Sequence, residues 1–134
     1  MKQLIGVVHL PPLPGSPGYA GESLETIIAS CQADLRALEG AGFDGVIFEN
    51  FGDTPFFKEN VPAVTLTSMT RIIVGCGQTS LKVGVNVLRN DAFGALAVAT
   101  ATGADFIRVN VHVGTMATDQ GLIEGKAADF STTT

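Results

Sequence analysis

The chain has 134 residues, about the length of a single domain. Apolar residues make up 46% of it and charged residues only 16%, against a typical ~25% charged. This excludes disorder, collagen-like sequence and a disulfide scaffold, and it implies an exterior that is unusually apolar or built to be covered. The net charge of -5 comes from 13 acids and 8 bases, and Lys2, Arg36, Lys58, Arg71, Lys82, Arg89, Arg108 and Lys126 never cluster, so no nucleic-acid stripe is present.

The start, MKQLIGVVHLPPLP, carries one Lys and a short apolar run, but prolines follow where a signal peptide needs a longer apolar core. No stretch approaches the ~18 apolar residues of a membrane span, and a cytoplasmic location is the simplest expectation. Residues 3–10 read as a buried strand, short, β-branched and stopped by Pro11 and Pro12. The segment PPLPGSPGYAG (11–21) is a loop too long for a tight turn. A helix is predicted from about Ser23 to Glu39, with Leu24, Ile27, Ile28, Cys31, Leu35 and Leu38 on one face. Ser23 is its N-cap, and Gly40 or Gly42 ends it. Cys31 and Cys76 sit among apolar residues and read as buried, reduced thiols.

The strand-helix grammar then repeats. Strand two spans Gly45–Glu49, followed by the polar loop NFGDTPFFKEN. A helix runs from about Pro62 to Val74, broken by Gly75 and Gly77. Strand three is Leu81–Val87; a third helix starts at Asn90 or Asp91 and runs to Gly103; strand four is Asp105–Val111. A weak internal echo relates Gly42-Phe43-Asp44-Gly45-Val46-Ile47 to Gly103-Ala104-Asp105-Phe106-Ile107, two strand-helix units later. Such alternation implies parallel strands joined by right-handed crossovers. The expected fold is therefore α/β, (βα)₃β₄ within one partial domain over 1–134. A doubly wound sheet would expect a Gly-rich fingerprint after strand one, and HLPPLPGSP has none. A (β/α)₈ barrel needs ~250 residues, so the unit count gives the N-terminal half of one.

In parallel α/β folds chemistry sits beyond the carboxyl ends of the strands, and every strand here ends in polar residues. Strand parity puts His9, Glu49, Asn86, Arg108 and Asn110 on the face toward a barrel axis, while Val46/Phe48, Val83/Val85 and Ile107/Val109 suit contact with helices. His9 is a strand-end cap or a general acid/base. Glu49, a carboxylate facing a barrel interior, needs a partner, and Arg108 is the one expected. These three are the catalytic candidates. Asn50, Asp53, Asn86, Arg89, Asn110 and His112 are substrate-binding candidates, with loop bracing the alternative for the Asn residues and His112. Asp53 and Asp119 bind cations or fix turns. Asn90 and Asp91 read as helix caps. No spacing rule supports a metal site from His9, Glu49 and His112, and the residues name no cofactor. The usual phosphate site follows strands seven and eight, which lie beyond these units, and Gly114 and Gly121 give only a weak cradle.

Four segments, IGVVHLPPLPGSP (5–17), DGVIFENFGDTPF (44–56), VGVNVLRNDAFGALA (83–97) and GADFIRVNVHVGTMATDQGLIEGKAA (103–128), together resemble the BtpA/SgcQ family of (β/α)₈ barrels, also described as photosystem I assembly BtpA-like proteins. Family members are roughly twice this length, so the resemblance implies that a second half-barrel is missing. The ending DFSTTT (129–134) departs from the family pattern and reads as a truncation, an altered reading frame or an alternative end. The resemblance implies two roles: a small-molecule enzyme, since SgcQ belongs with sugar-uptake functions, or a photosystem I assembly factor acting by binding, peripheral at the thylakoid membrane. An inactive fragment is the third expectation. Open sheet edges also predict self-association.

Overall fold

The computed structural model describes residues 3–50, 52, 61–88 and 91–109. The described chain alternates β1 (Ile5–His9), α1 (Leu24–Gly40), β2 (Gly45–Glu49), α2 (Ala63–Gly75), β3 (Lys82–Asn86), α3 (Ala92–Thr102) and β4 (Phe106–Ile107). The four strands form one parallel sheet in the order β1-β2-β3-β4. A doubly wound sheet would reverse direction at a switch point; this one advances one strand at a time.

One parity of the strands, Val8, Val46, Phe48 and Val85, joins Ile27, Cys31 and Leu35 of α1, Met69, Ile72 and Ile73 of α2, and Ala95, Val98 and Ala99 of α3 in a single core. The helices therefore cover the same face of the sheet, and the predicted helix-facing parity is the one they cover. The loop after β1 is built into this core as well, through fully buried Leu13 and Leu10.

Helix boundaries follow local chemistry. Ser23 caps α1 by accepting from the Thr26 N–H at 3.2 Å. The helix runs one residue past the predicted end, and Gly42, at φ +82°, turns the chain after Ala41. In α2, Pro62 is the N-cap rather than the first helical residue, and Gly75 is still helical. Asp91 caps α3 through the Gly94 N–H at 2.7 Å, and Gly103, at φ +74°, ends it. Strands β1 and β3 are shorter than predicted by a residue or more at each end. The described β4 stops at Ile107, after which the Arg108 N–H still donates to the Val85 carbonyl at 2.9 Å. As the last strand described it has one neighbour, β3, and that ladder gives out early.

The sequence echo is a structural device used twice. The Asp44 carboxylate accepts the Leu4 N–H at 2.8 Å, and the Asp44 N–H donates to the Leu4 carbonyl at 2.8 Å. Asp105 does the same to Val83, at 2.8 and 2.7 Å. Each Asp follows a left-handed Gly, Gly42 or Gly103, which only glycine adopts without strain. The pair of bonds ties the amino end of one strand to the strand before it.

Candidate functional site

The face of the sheet away from the helices is layered. Register pairs Val7 with Ile47, Ile47 with Gly84, and Gly84 with Phe106. Gly84 leaves room for the Phe106 ring, which a Cβ there would meet at 2.2 Å. Two residues further along each strand, at the carboxyl ends, His9 pairs with Glu49 and Glu49 with Asn86. A polar row thus lies directly on an apolar one.

Within that row the side chains touch. Asn86 Nδ2 donates to Glu49 Oε2 at 2.8 Å, and His9 Nε2 stands 3.6 Å from Glu49 Oε1. The Glu49 side chain is 10% exposed and that of His9 53%, so the imidazole lies between a buried carboxylate and water. Asn86 is buried. A carboxylate requires a donor opposite it, which fixes the amide orientation, and Oδ1 has no hydrogen-bond partner among the described residues. A carboxylate with one amide donor and one titratable neighbour is suited to accepting and releasing a proton.

Arg108 is exposed and continues the polar row one strand on. Among the described residues it makes no ion pair with Glu49; the pairing expected between them goes instead to His9. Asn50 is fully buried and engaged elsewhere. Its Oδ1 accepts the Leu88 N–H at 2.6 Å, and its Nδ2 donates to the Leu88 carbonyl at 3.4 Å. This amide clamps the end of β2 to the chain leaving β3 and does not face an opening. Asp91 is a brace as well as a cap, since its second oxygen accepts the Val61 N–H at 3.0 Å. Asp53, Arg89, Asn110, His112 and the proposed cap Asn90 lie outside the described residues.

Gly52, which sequence reasoning passed over, governs how the loops meet above the row. A Cβ there would come within 2.6 to 2.8 Å of the backbone of Leu10, Pro11 and Pro12, and the Gly52 N–H donates to the Leu10 carbonyl at 3.0 Å. Only a residue without a side chain fits. The glycine stood in plain view within NFGD, but its reason is a contact with residues 40 positions away.

Among the described residues, two cavities of about 460 and 510 Å³ lie elsewhere, toward the amino ends of the strands. They are lined by residues such as Thr79 and Asp105 or Gln3 and Lys82, and neither includes the polar row. The chemistry favours the row, because the lining carboxylates Asp44 and Asp105 are already committed to strand ends. Among the described residues no cluster of three or more His, Cys, Asp or Glu could hold a metal ion, and no helix is long and apolar enough to cross a membrane.

Comparison with known proteins brings this geometry to a family. The model of the BtpA family matches residues 1–133. The chain is 49% identical over 131 residues to an uncharacterized protein of Methanocaldococcus jannaschii, covering 97% of this chain and 49% of that protein. It is 50% identical over 128 residues to the photosystem I biogenesis protein BtpA of Synechocystis, covering 95% and 44%. To the putative sgc region protein SgcQ of Escherichia coli it is 36% identical over 124 residues, covering 90% and 45%. The chain spans about half the length of the curated relatives it matches. No solved structure matches it.

Proposed function

This chain belongs to the BtpA family, and from that premise we propose that it is the N-terminal half of a (β/α)₈ barrel enzyme acting on a small polar metabolite, sugar-like or phosphorylated. The observation that carries the reading is the contact row His9–Glu49–Asn86 at the carboxyl ends of consecutive parallel strands, where barrel enzymes keep their chemistry. Glu49 is the acid/base group. Asn86 holds its carboxylate, and His9 passes the proton between Glu49 and solvent. Arg108 and Arg89 bind negative charge on the substrate, and His112 is a further substrate-binding group. Asn110 and Asp53 orient hydroxyls, and Asn50 supports the site as a clamp.

The experiment is a thermal-shift screen of sugars, polyols and sugar phosphates on a full-length relative carrying the same three residues, followed by turnover assays on whatever binds. A ligand at 100 times its Kd adds about 2.7 kcal/mol to stability, a shift readily seen. Glu49→Gln should keep the fold and the shift while abolishing turnover. Normal turnover in that variant removes Glu49 from the chemistry.

A second reading, binding to photosystem I components, is favoured by the name of the Synechocystis relative alone. Identity is 49% to the Methanocaldococcus protein, whose name carries no such role, against 50% to the Synechocystis one. Recovery of photosystem I subunits with the tagged Synechocystis protein, unaltered by Glu49→Gln, would favour this reading over the enzyme.

A further inference from the structure

We propose that Asn86 is a specificity-determining residue: its Oδ1 accepts a hydrogen bond from a substrate hydroxyl held beside Glu49, so the part of the substrate at this carboxylate is hydroxylated and not anionic. The inference rests on the enzymatic reading above and names the chemical group that the site recognises.

Asn86 is 1% exposed, and its two polar atoms are placed differently. Nδ2 donates to Glu49 Oε2 at 2.8 Å. An ionised carboxylate only accepts, so the amide keeps its oxygen turned away from Glu49. Oδ1 is thereby left buried and without a hydrogen-bond partner among the described residues. Buried acceptors in folded proteins are nearly always paired, and each exception calls for a cause, such as a role in the chemistry or a water that a ligand displaces. Asn50 shows the contrast, because both polar atoms of that buried amide are engaged by Leu88. One other buried side-chain atom among the described residues lacks a partner, the Ser16 hydroxyl. Ser16 is only half-buried and belongs to the loop after β1, not to the row.

Neighbouring charges decide which donor fits. Asn86 lies two positions along β3 from Gly84, on the face of the sheet away from the helices. Glu49 is its partner in register on one side. The pairing of Gly84 with Phe106 and of Val85 with Ile107, carried one residue further, places Arg108 on the other. A phosphate or carboxylate oxygen brings no proton to Oδ1 and would stand against the Glu49 carboxylate. An ammonium brings protons but would stand beside the Arg108 guanidinium. A hydroxyl donates its one proton to Oδ1 and keeps lone pairs for a cationic neighbour. An anionic group on the same substrate belongs at Arg108, one strand spacing or about 4.8 Å beyond Asn86. Asn86 thus divides the hydroxylated end of the substrate from its charged end.

The test measures affinities by titration calorimetry on a full-length relative carrying His9, Glu49 and Asn86. The probes are glucose, ribose and their terminal phosphates, each with its monodeoxy counterparts, and inorganic phosphate and succinate as anions without a hydroxyl donor. The expected result is that a hydroxylated probe binds and that one of its deoxy counterparts binds at least ~100-fold more weakly, because a site with a buried acceptor rejects the analogue that leaves it unpaired. Asn86→Leu removes the acceptor and should level that pair to within about tenfold, the parent losing affinity and the deoxy counterpart keeping its own. Retained binding of the deoxy counterpart shows that the variant folds; Asn86→Ala serves the same comparison if the Leu variant does not. Equal affinities throughout every deoxy series, no binding by any hydroxylated probe, or a discrimination that survives loss of the Asn86 amide overturns the inference. Turnover that stops in Glu49→Gln without any deoxy discrimination overturns it while leaving the enzymatic reading in place. Discrimination that depends on Asn86 without turnover of any probe does the reverse.

Discussion

Asn50 separates a supporting role from a ligand-binding one. Replacing it with Ala removes the acceptor of the Leu88 N–H and the donor to the Leu88 carbonyl at a site with no solvent access. The 2.6 Å bond is short and its loss leaves a buried N–H unsatisfied, which costs about 1–3 kcal/mol; the 3.4 Å bond adds at most about 0.5 kcal/mol. Asn50→Ala should therefore lower unfolding free energy by about 1–3.5 kcal/mol in urea titrations followed by circular dichroism, with the m-value unchanged. Asn50→Asp keeps the acceptor but sets a second oxygen against the Leu88 carbonyl and buries a charge. Its folded-state pKa must rise above the unfolded ~3.9, so the protonated form, which can donate to that carbonyl, is the one that fits. The variant's deficit relative to wild type should shrink as pH falls from 7 toward 4, and grow as pH rises. If Asn50→Ala costs under about 0.5 kcal/mol yet abolishes ligand binding, the clamp is wrong and the original substrate-binding role is right.

Gly52→Ala should cost about 1–3 kcal/mol in a thermal melt, because its Cβ would meet backbone at 2.6 Å and backbone cannot rotate away; an unchanged melting temperature would refute the close approach. Asp44→Ala and Asp105→Ala should each cost about 0.5–1.5 kcal/mol and by similar amounts, since each carboxylate holds one strand-end N–H at 2.8 Å. Burial pushes the Cys31 thiol up to about 12 and raises that of Cys76. Both should resist a thiol reagent at pH 8 until the chain unfolds. These raised values mean that stability is fully retained below the ordinary thiol pKa of about 8.5. It falls as pH rises beyond that, because the unfolded thiols ionise first; urea midpoints measured between pH 8 and 10.5, compared with a Cys31→Ala variant, would show it.

Strand β2 was legible to the residue, because a continuous apolar run between Gly45 and a polar loop leaves little choice of boundary. The caps were legible for the same local reason: Ser23 and Asp91 bond to amides three residues away. The shared face of His9, Glu49 and Asn86 followed from parity alone, since side chains two apart on a strand point the same way. Other contacts were not legible because the deciding partner is distant. Glu49 was matched with Arg108 by charge, yet its neighbour in register is His9. Asn50 carries the residue type of a ligand and the geometry of a clamp. In each case the type of side chain was readable and its employment was not.

Sequence by itself determined the order of strands and helices, the polar ends of the strands, and the repeated Gly-x-Asp that marks two equivalent units, because each depends on periodicity or on bonds spanning a few residues. Tertiary structure alone decided which backbone Asp44 and Asp105 hold, why Gly52 cannot carry a side chain, and which atoms share the Glu49 carboxylate. Those depend on the register between strands 22 to 40 residues apart, which no local pattern encodes and which packing of the helices against one face of the sheet fixes.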